Sequence, residues 1–127
     1  MKLSAHMEDY VEAISLCSNK EGIARVSDIR DMLGVKTPSV TGAIKSLVAD
    51  GYVQHQAYKG VELTAKGRRV AEDVKKRHAI LSRFLTQVIG VNPKTADLDA
   101  CKMEHAISRE TLEKLHIYLH KITGTEA

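Results

Sequence analysis

Two short helical stretches parted by Gly34-Val35-Lys36-Thr37-Pro38, with a glycine-tipped alternating segment close behind them, restrict this chain more than any other feature. Ser27 is placed to cap a helix running to about Met32, with Asp28 in its first turn and Gly34 closing it. Thr37 then reads as a second cap, and Pro38 takes the first helical position, where a missing N–H leaves no hydrogen bond unmade. Val40, Ile44 and Leu47-Val48 keep a helical period until Gly51. A short helix, a tight turn and a second helix make a helix-turn-helix.

The flanks extend that pattern. Leu3, Met7, Tyr10, Ile14 and Cys17 form one apolar stripe, which predicts a helix over the first 19 residues. After the helix-turn-helix, Tyr52–Gln56 and Val61–Leu63 alternate on either side of Ala57-Tyr58-Lys59-Gly60, as in a small hairpin. Thr64 caps a long helix through about Val88, and Gly90 with Asn92-Pro93 breaks it. Helices over 94–106 and 109–122 follow, the second capped by Ser108 with Glu110 in its first turn. The expected fold is mainly α with a small β-hairpin wing, an N-terminal winged helix-turn-helix over 1–70 followed by an all-helical domain over 71–127.

Composition narrows the function classes. The 127 residues are 43% apolar and 28% charged, enough of each for a globular core and a solvated surface. Aromatics make up only 4% and Trp is absent, which argues against an aromatic-lined carbohydrate or ligand pocket. No apolar run approaches the roughly 18 residues of a membrane helix, and Glu8, Asp9 and Glu12 are unlike a signal peptide. With Cys17 and Cys101 its only cysteines, the chain is expected to be reduced and cytoplasmic, with no membrane partner. Net charge is −2 over residues 1–19, +4 over 20–70 and +1 over 71–127, a basic middle suited to nucleic acid.

The second helix of the helix-turn-helix carries that reading. A helix entering a major groove about 12 Å wide needs small or hydrogen-bonding side chains on its outer face. Thr37, Ser39, Thr41, Gly42 and Lys45 are expected there, with Val40, Ile44, Leu47 and Val48 inward. Lys36 just before the helix suits backbone contact, Tyr58 and Lys59 in the wing suit phosphate or minor-groove contact, and Pro38 at the helix entry belongs to the same candidate DNA face. No arginine lies on this face, so DNA shape is expected to supply part of the specificity. The bland alternative is a winged helix used for protein contacts, its hydroxyls and lysines merely solvated.

A second constellation is Cys101-Lys102-Met103-Glu104-His105. On a continuous helix Cys101, Glu104 and His105 share one face, while Ala100, Met103 and Ile107 pack on the other. Thiolate, carboxylate and imidazole together suit a divalent transition ion. Asp97 points the same way one turn earlier, Asp9 and Glu12 supply a carboxylate pair, and His78 is placed to complete a site. Each residue also has an ordinary reading: solvated carboxylates, a polar residue on an exposed helix, a small buried cysteine. His6, His55, His116 and His120 are expected to have no metal role, and Cys17 to belong to the core. No substrate cleft or oxyanion-hole element accompanies the Cys–His pair, so neither an enzyme nor a small-molecule substrate is expected.

Met7-Glu8-Asp9-Tyr10-Val11-Glu12-Ala13-Ile14, the segment A-R-V-S-D-I, the stretch T-P-S-V-T, the wing Y-K-G-V-E-L-T-A-K-G, Arg77-His78, I-G-V and C-K-M-E-H-A-I-S follow one another in order. Together they resemble the diphtheria toxin repressor family, and most of all its manganese transport regulator branch. The resemblance spans nearly the whole chain. It implies a homodimeric winged-helix repressor of metal-uptake genes, with a helical dimerisation domain and a divalent metal as corepressor. It further implies that Asp9, Glu12, His78, Glu104 and His105 are metal ligands. Cys101 stands where the manganese branch has glutamate and the iron branch cysteine, so the sequence mixes two patterns.

Carboxylates and imidazoles suit Mn(II) and Fe(II), whereas a thiolate softens the set toward Fe(II), Co(II) or Zn(II). The expected corepressor is Mn(II) or Fe(II), with Co(II) or Zn(II) as alternatives. The expected partners are a palindromic double-stranded operator and a second copy of the chain. Two rivals stay open on sequence alone: a metal-independent winged-helix regulator, and a metal buffer that binds DNA weakly.

Overall fold

The computed structural model describes residues 3–124. Ser4 accepts a hydrogen bond from the Met7 amide (3.2 Å) and opens α1, Ala5–Cys17. Tyr10, Val11, Ala13 and Ile14 are buried, with Leu3, Met7 and Cys17 at the edge of the same cluster. Cys17, expected in the core, is thus only half-buried. Burial, with the charge of Asp28 adding to it, pushes its thiol above the usual range.

Ile23–Ala24 form a two-residue strand, β1, too short to show an alternating pattern and not foreseen from sequence. Helix α2 spans Val26–Leu33 and α3 spans Thr37–Ala49. α2 begins two residues, and α3 one residue, earlier than the side chains suggested. Arg25 and Lys36 occupy the cap positions without side-chain cap bonds, so Ser27 and Thr37 lie inside their helices. Extended backbone at each cap residue starts these helices, and at Thr37-Pro38 the proline's lost N–H falls in the first turn. Gly34 ends α2 with a left-handed φ of 66°.

Strands β2 (Val53–Gln56) and β3 (Gly60–Leu63) form the wing. The antiparallel order is β1-β3-β2, with Val53 opposite Leu63, His55 opposite Val61 and Ala24 also opposite Val61. On the outer face Glu62 accepts hydrogen bonds from Gln54 and Gln56, each 2.7 Å, and these hold its carboxyl below the usual range. Gly60 is required where it is: at φ +141° an added Cβ would lie 2.2 Å from the Ala24 carbonyl oxygen. Ile29, Val40, Ile44, Leu47, Val53 and Val61 close the core beneath the sheet and helices. Each buried aliphatic contributes roughly 1.5–3 kcal/mol.

Thr64 accepts from the Gly67 amide (3.2 Å) and starts α4, Ala65–Arg83. The chain divides into two compact units between Glu72 and Asp73, within this helix. In place of a regular helix to Val88, Phe84–Ile89 form a π-helical segment that ends at left-handed Gly90. Asn92 accepts from Lys94 N (2.9 Å) and opens α5, Pro93–Met103. Ser108 caps α6, Arg109–Thr123, through the Thr111 amide. Leu81, Leu85, Ala96 and Ala100 are the centre of the second core, with Phe84, Val91, Met103, Ile107, Leu112 and Leu115 around them.

Candidate metal centre and nucleic-acid interface

The end of α5 builds the metal centre. The sequence suggested helix through Ala106, but α5 stops at Met103, and both Ala106 and Ile107 donate their amides to the Met103 carbonyl (3.0 Å each). Glu104 is the C-cap residue, and its side chain turns inward to complete burial while Cys101, one turn earlier, stays exposed. Glu104 keeps right-handed helical backbone, its amide bonded to the Ala100 carbonyl, so it still follows Cys101 by one turn. What unites the residues is His78, delivered by α4.

The His78 ring stands between three groups. Its Nδ1 lies 3.0 Å from Glu104 Oε2 and 3.7 Å from Cys101 Sγ, and its Nε2 lies 2.7 Å from Asp97 Oδ1. One ligand atom from each of His78, Cys101 and Glu104 falls within 4.8 Å of the others. Imidazole, thiol and a fully buried carboxylate at that spacing fit a divalent first-row ion. Burial pushes the His78 pKa down. The Asp97 hydrogen bond and the charges of Glu104 and Asp97 outweigh it, so the net shift is upward. His105 Nε2 lies 3.4 Å from Glu104 Oε1, with its side chain only 7% exposed.

Arg77, beside His78 in the sequence, has a structural task. Its buried guanidinium donates from Nη1 to the Glu104 carbonyl oxygen (2.6 Å) and pairs through Nη2 with Asp73 (3.1 Å). A guanidinium one residue before a candidate ligand, on a helix with a charged outer face, gives no sequence signal for such inward use. Asp9 and Glu12 lie in the other unit, one turn apart on α1.

In the first unit α3 buries Val40, Ala43, Ile44 and Leu47, with Val48 half-buried. Its outer face exposes Thr37, Pro38, Ser39, Thr41, Gly42 and Lys45, and Lys36 stands exposed just before it. Thr41 returns its hydroxyl to the Thr37 carbonyl (3.1 Å). At the wing tip Tyr58 is fully exposed with φ 63°, next to exposed Lys59. The surface is the basic, hydroxyl-rich helix and projecting hairpin expected of a groove reader.

Residues 2–61 match the iron dependent repressor, N-terminal DNA binding domain, and residues 64–125 the iron dependent repressor, metal binding and dimerisation domain. The chain belongs to the iron-dependent repressor family. It is 37% identical over 94% of its length to an uncharacterized HTH-type transcriptional regulator of Methanocaldococcus jannaschii, covering 96% of that protein. It is 39% identical over 91% of its length to the transcriptional regulator MntR of Escherichia coli, covering 74% of it. Among solved structures, a manganese-dependent transcriptional repressor in complex with manganese superposes with a TM-score of 0.80 at 25% identity. That match takes in 89% of this chain and 52% of the other, so this chain spans about half the length of that repressor. Iron-dependent repressors are metal-dependent DNA-binding transcriptional regulators, and this chain has their winged N-terminal unit followed by their helical unit. Among the described residues no helix is long and apolar enough to cross a membrane.

Proposed function

We propose that this iron-dependent repressor binds a palindromic operator as a homodimer, with Mn(II) or Fe(II) as corepressor, and controls genes of metal-ion uptake from the cytoplasm. The observation carrying the reading is the convergence of His78 Nδ1, Cys101 Sγ and the buried Glu104 carboxylate. A thiol beside harder donors leaves Co(II) or Zn(II) as alternative ions. The metal-dependent relatives and the manganese-bound structural neighbour support the choice of manganese or iron.

When bound, the ion supplies positive charge and directed coordination to acidic groups. Within the chain, His78 offers a nitrogen from α4, Cys101 and Glu104 offer sulfur and oxygen from α5, and Arg77 anchors the backbone at Glu104. We assign His105, Asp9 and Glu12 to the remaining ligand positions. Asp9 and Glu12 belong to the DNA-reading unit that ends at Glu72, whereas the other four belong to the metal-binding and dimerisation unit that begins at Asp73. Metal occupancy is thereby coupled to DNA binding, a coupling of typically about 1–3 kcal/mol in allosteric proteins.

Lys36, Thr37, Pro38, Ser39, Thr41, Lys45, Tyr58 and Lys59 are assigned to DNA: the Thr and Ser hydroxyls toward base edges, Lys45 toward a base edge or a phosphate, Lys36 toward phosphates, Tyr58 and Lys59 toward phosphates or the minor groove, and Pro38 in apolar contact at the helix entry. Exposed Ile117, Tyr118 and Ile122 on α6, with Leu98 on α5, supply apolar area for a second copy. The reading requires neither a reaction nor a small-molecule substrate.

The test is selection of bound fragments from host DNA in parallel with EDTA, Mn(II), anaerobic Fe(II) and Zn(II). Recovery of one palindrome only with metal supports the proposal and identifies the ion. The same palindrome in EDTA contradicts metal dependence. Binding without preferred sequence, and with a steep salt dependence, points instead to a metal buffer.

A further inference from the structure

We propose that Asp97, outside the ligand set, is a positioning residue that orients His78 for metal binding by holding the ring proton on Nε2. The inference rests on the metal centre proposed above and concerns how its histidine is prepared.

A neutral imidazole has one N–H and one lone pair, and its partners decide which nitrogen carries which. Here each edge of the ring meets a carboxylate, Glu104 at Nδ1 and Asp97 at Nε2, and the Asp97 contact is the shorter. Nδ1 faces the proposed ligands, 3.0 Å from Glu104 Oε2 and 3.7 Å from Cys101 Sγ. Nε2 faces away from them, toward Asp97 Oδ1 at 2.7 Å. An ion can use Nδ1 only if the proton resides on Nε2. A carboxylate accepting from Nε2–H favours that tautomer, fixes the ring plane and raises the basicity of Nδ1.

Asp97 stands on α5 one turn before Cys101, so one helix provides both the orienting carboxylate and a ligand. Its side chain is 66% exposed, which leaves it no part in the packed core. This exposure also makes its replacement a mild perturbation of folding.

The experiment compares wild type, Asp97→Ala, Asp97→Asn and His78→Ala. Mn(II) affinity is read by competition with a fluorescent chelator. The His78 tautomer is read from ring ¹⁵N shifts of the metal-free protein above its imidazole titration. Asp97→Ala is expected to weaken Mn(II) binding about 10–100-fold and to shift the ring toward the Nδ1–H form. Asp97→Asn, whose amide oxygen still accepts from Nε2–H, is expected to recover most of both properties. Wild-type affinity or an unmoved tautomer in Asp97→Ala overturns the inference, as does an Asn variant as weak as the Ala variant, since charge or direct ligation would then be the role. Wild-type Mn(II) affinity in His78→Ala would instead overturn the metal-centre reading itself.

Discussion

Arg77 Nη1 donates a 2.6 Å hydrogen bond to the main-chain oxygen of Glu104, fastening the middle of α4 to the residue that ends α5. The bond fixes a backbone whose side chain is a wholly buried carboxylate. Replacing Arg77 by Met leaves the Glu104 carbonyl without this partner. The expected loss is about 1–3 kcal/mol of unfolding free energy, measured by urea denaturation, with Mn(II) affinity falling as Glu104 loses its fixed position. Unchanged stability together with unchanged affinity would remove Arg77 from this role.

The wing depends on a glycine. At Gly60 a methyl group would meet the Ala24 carbonyl oxygen at 2.2 Å, and φ +141° is strained for any L side chain. Gly60→Ala is expected to cost at least about 1–3 kcal/mol and to weaken DNA binding by displacing Tyr58 and Lys59. Thermal unfolding and fluorescence anisotropy on the selected operator check both effects.

Protons and metal compete at His78. Its pKa is raised above the ordinary 6.5: burial opposes the charged form, but the Asp97 hydrogen bond and the two carboxylates prevail. Protonation therefore stabilises the metal-free fold fully below the unfolded pKa, and that contribution is lost as pH rises through the raised folded value. Ligation needs the neutral ring, so Mn(II) affinity should fall as pH drops through the same window, by up to about tenfold per pH unit from this group. His78→Gln should shallow the slope. An equally steep slope in the variant would assign the proton elsewhere.

Lys45 on α3 and Lys59 in the wing are assigned to different parts of the DNA. Lys59→Ala should weaken binding uniformly across sequences and lower the salt slope by about one. Lys45→Ala should also alter preference at a base position if its ammonium reaches a base edge. Anisotropy titrations over a range of salt, on the operator and on point variants of it, separate these effects.

Much of this architecture was legible in short-range chemistry. Gly34 and Thr37-Pro38 marked the helix-turn-helix because a left-handed stop and a proline start have few other uses, and the tip at Tyr58-Lys59-Gly60 marked the hairpin. The starts of α2 and α3 lie before Ser27 and Thr37 because extended backbone at Arg25 and Lys36 begins each helix without a side-chain cap bond. Ile23–Ala24 could not be read as a strand because only pairing with β3 defines it. Nor could the π-helical segment at Phe84–Ile89, whose residues keep an ordinary helical appearance. At the metal centre the residue types were evident, but the inward turn of Glu104 depends on the chain reversal before Ser108 and on an arginine 27 residues earlier.

The most direct measurement is operator binding by wild type, His78→Ala and Glu104→Gln, each in EDTA and in Mn(II), with sedimentation confirming that each protein is folded and dimeric. Wild type should bind about 5–150-fold more tightly with Mn(II), and both variants should remain at the EDTA level. Equal binding by wild type in EDTA and Mn(II), or a full metal response in both variants, would contradict the account.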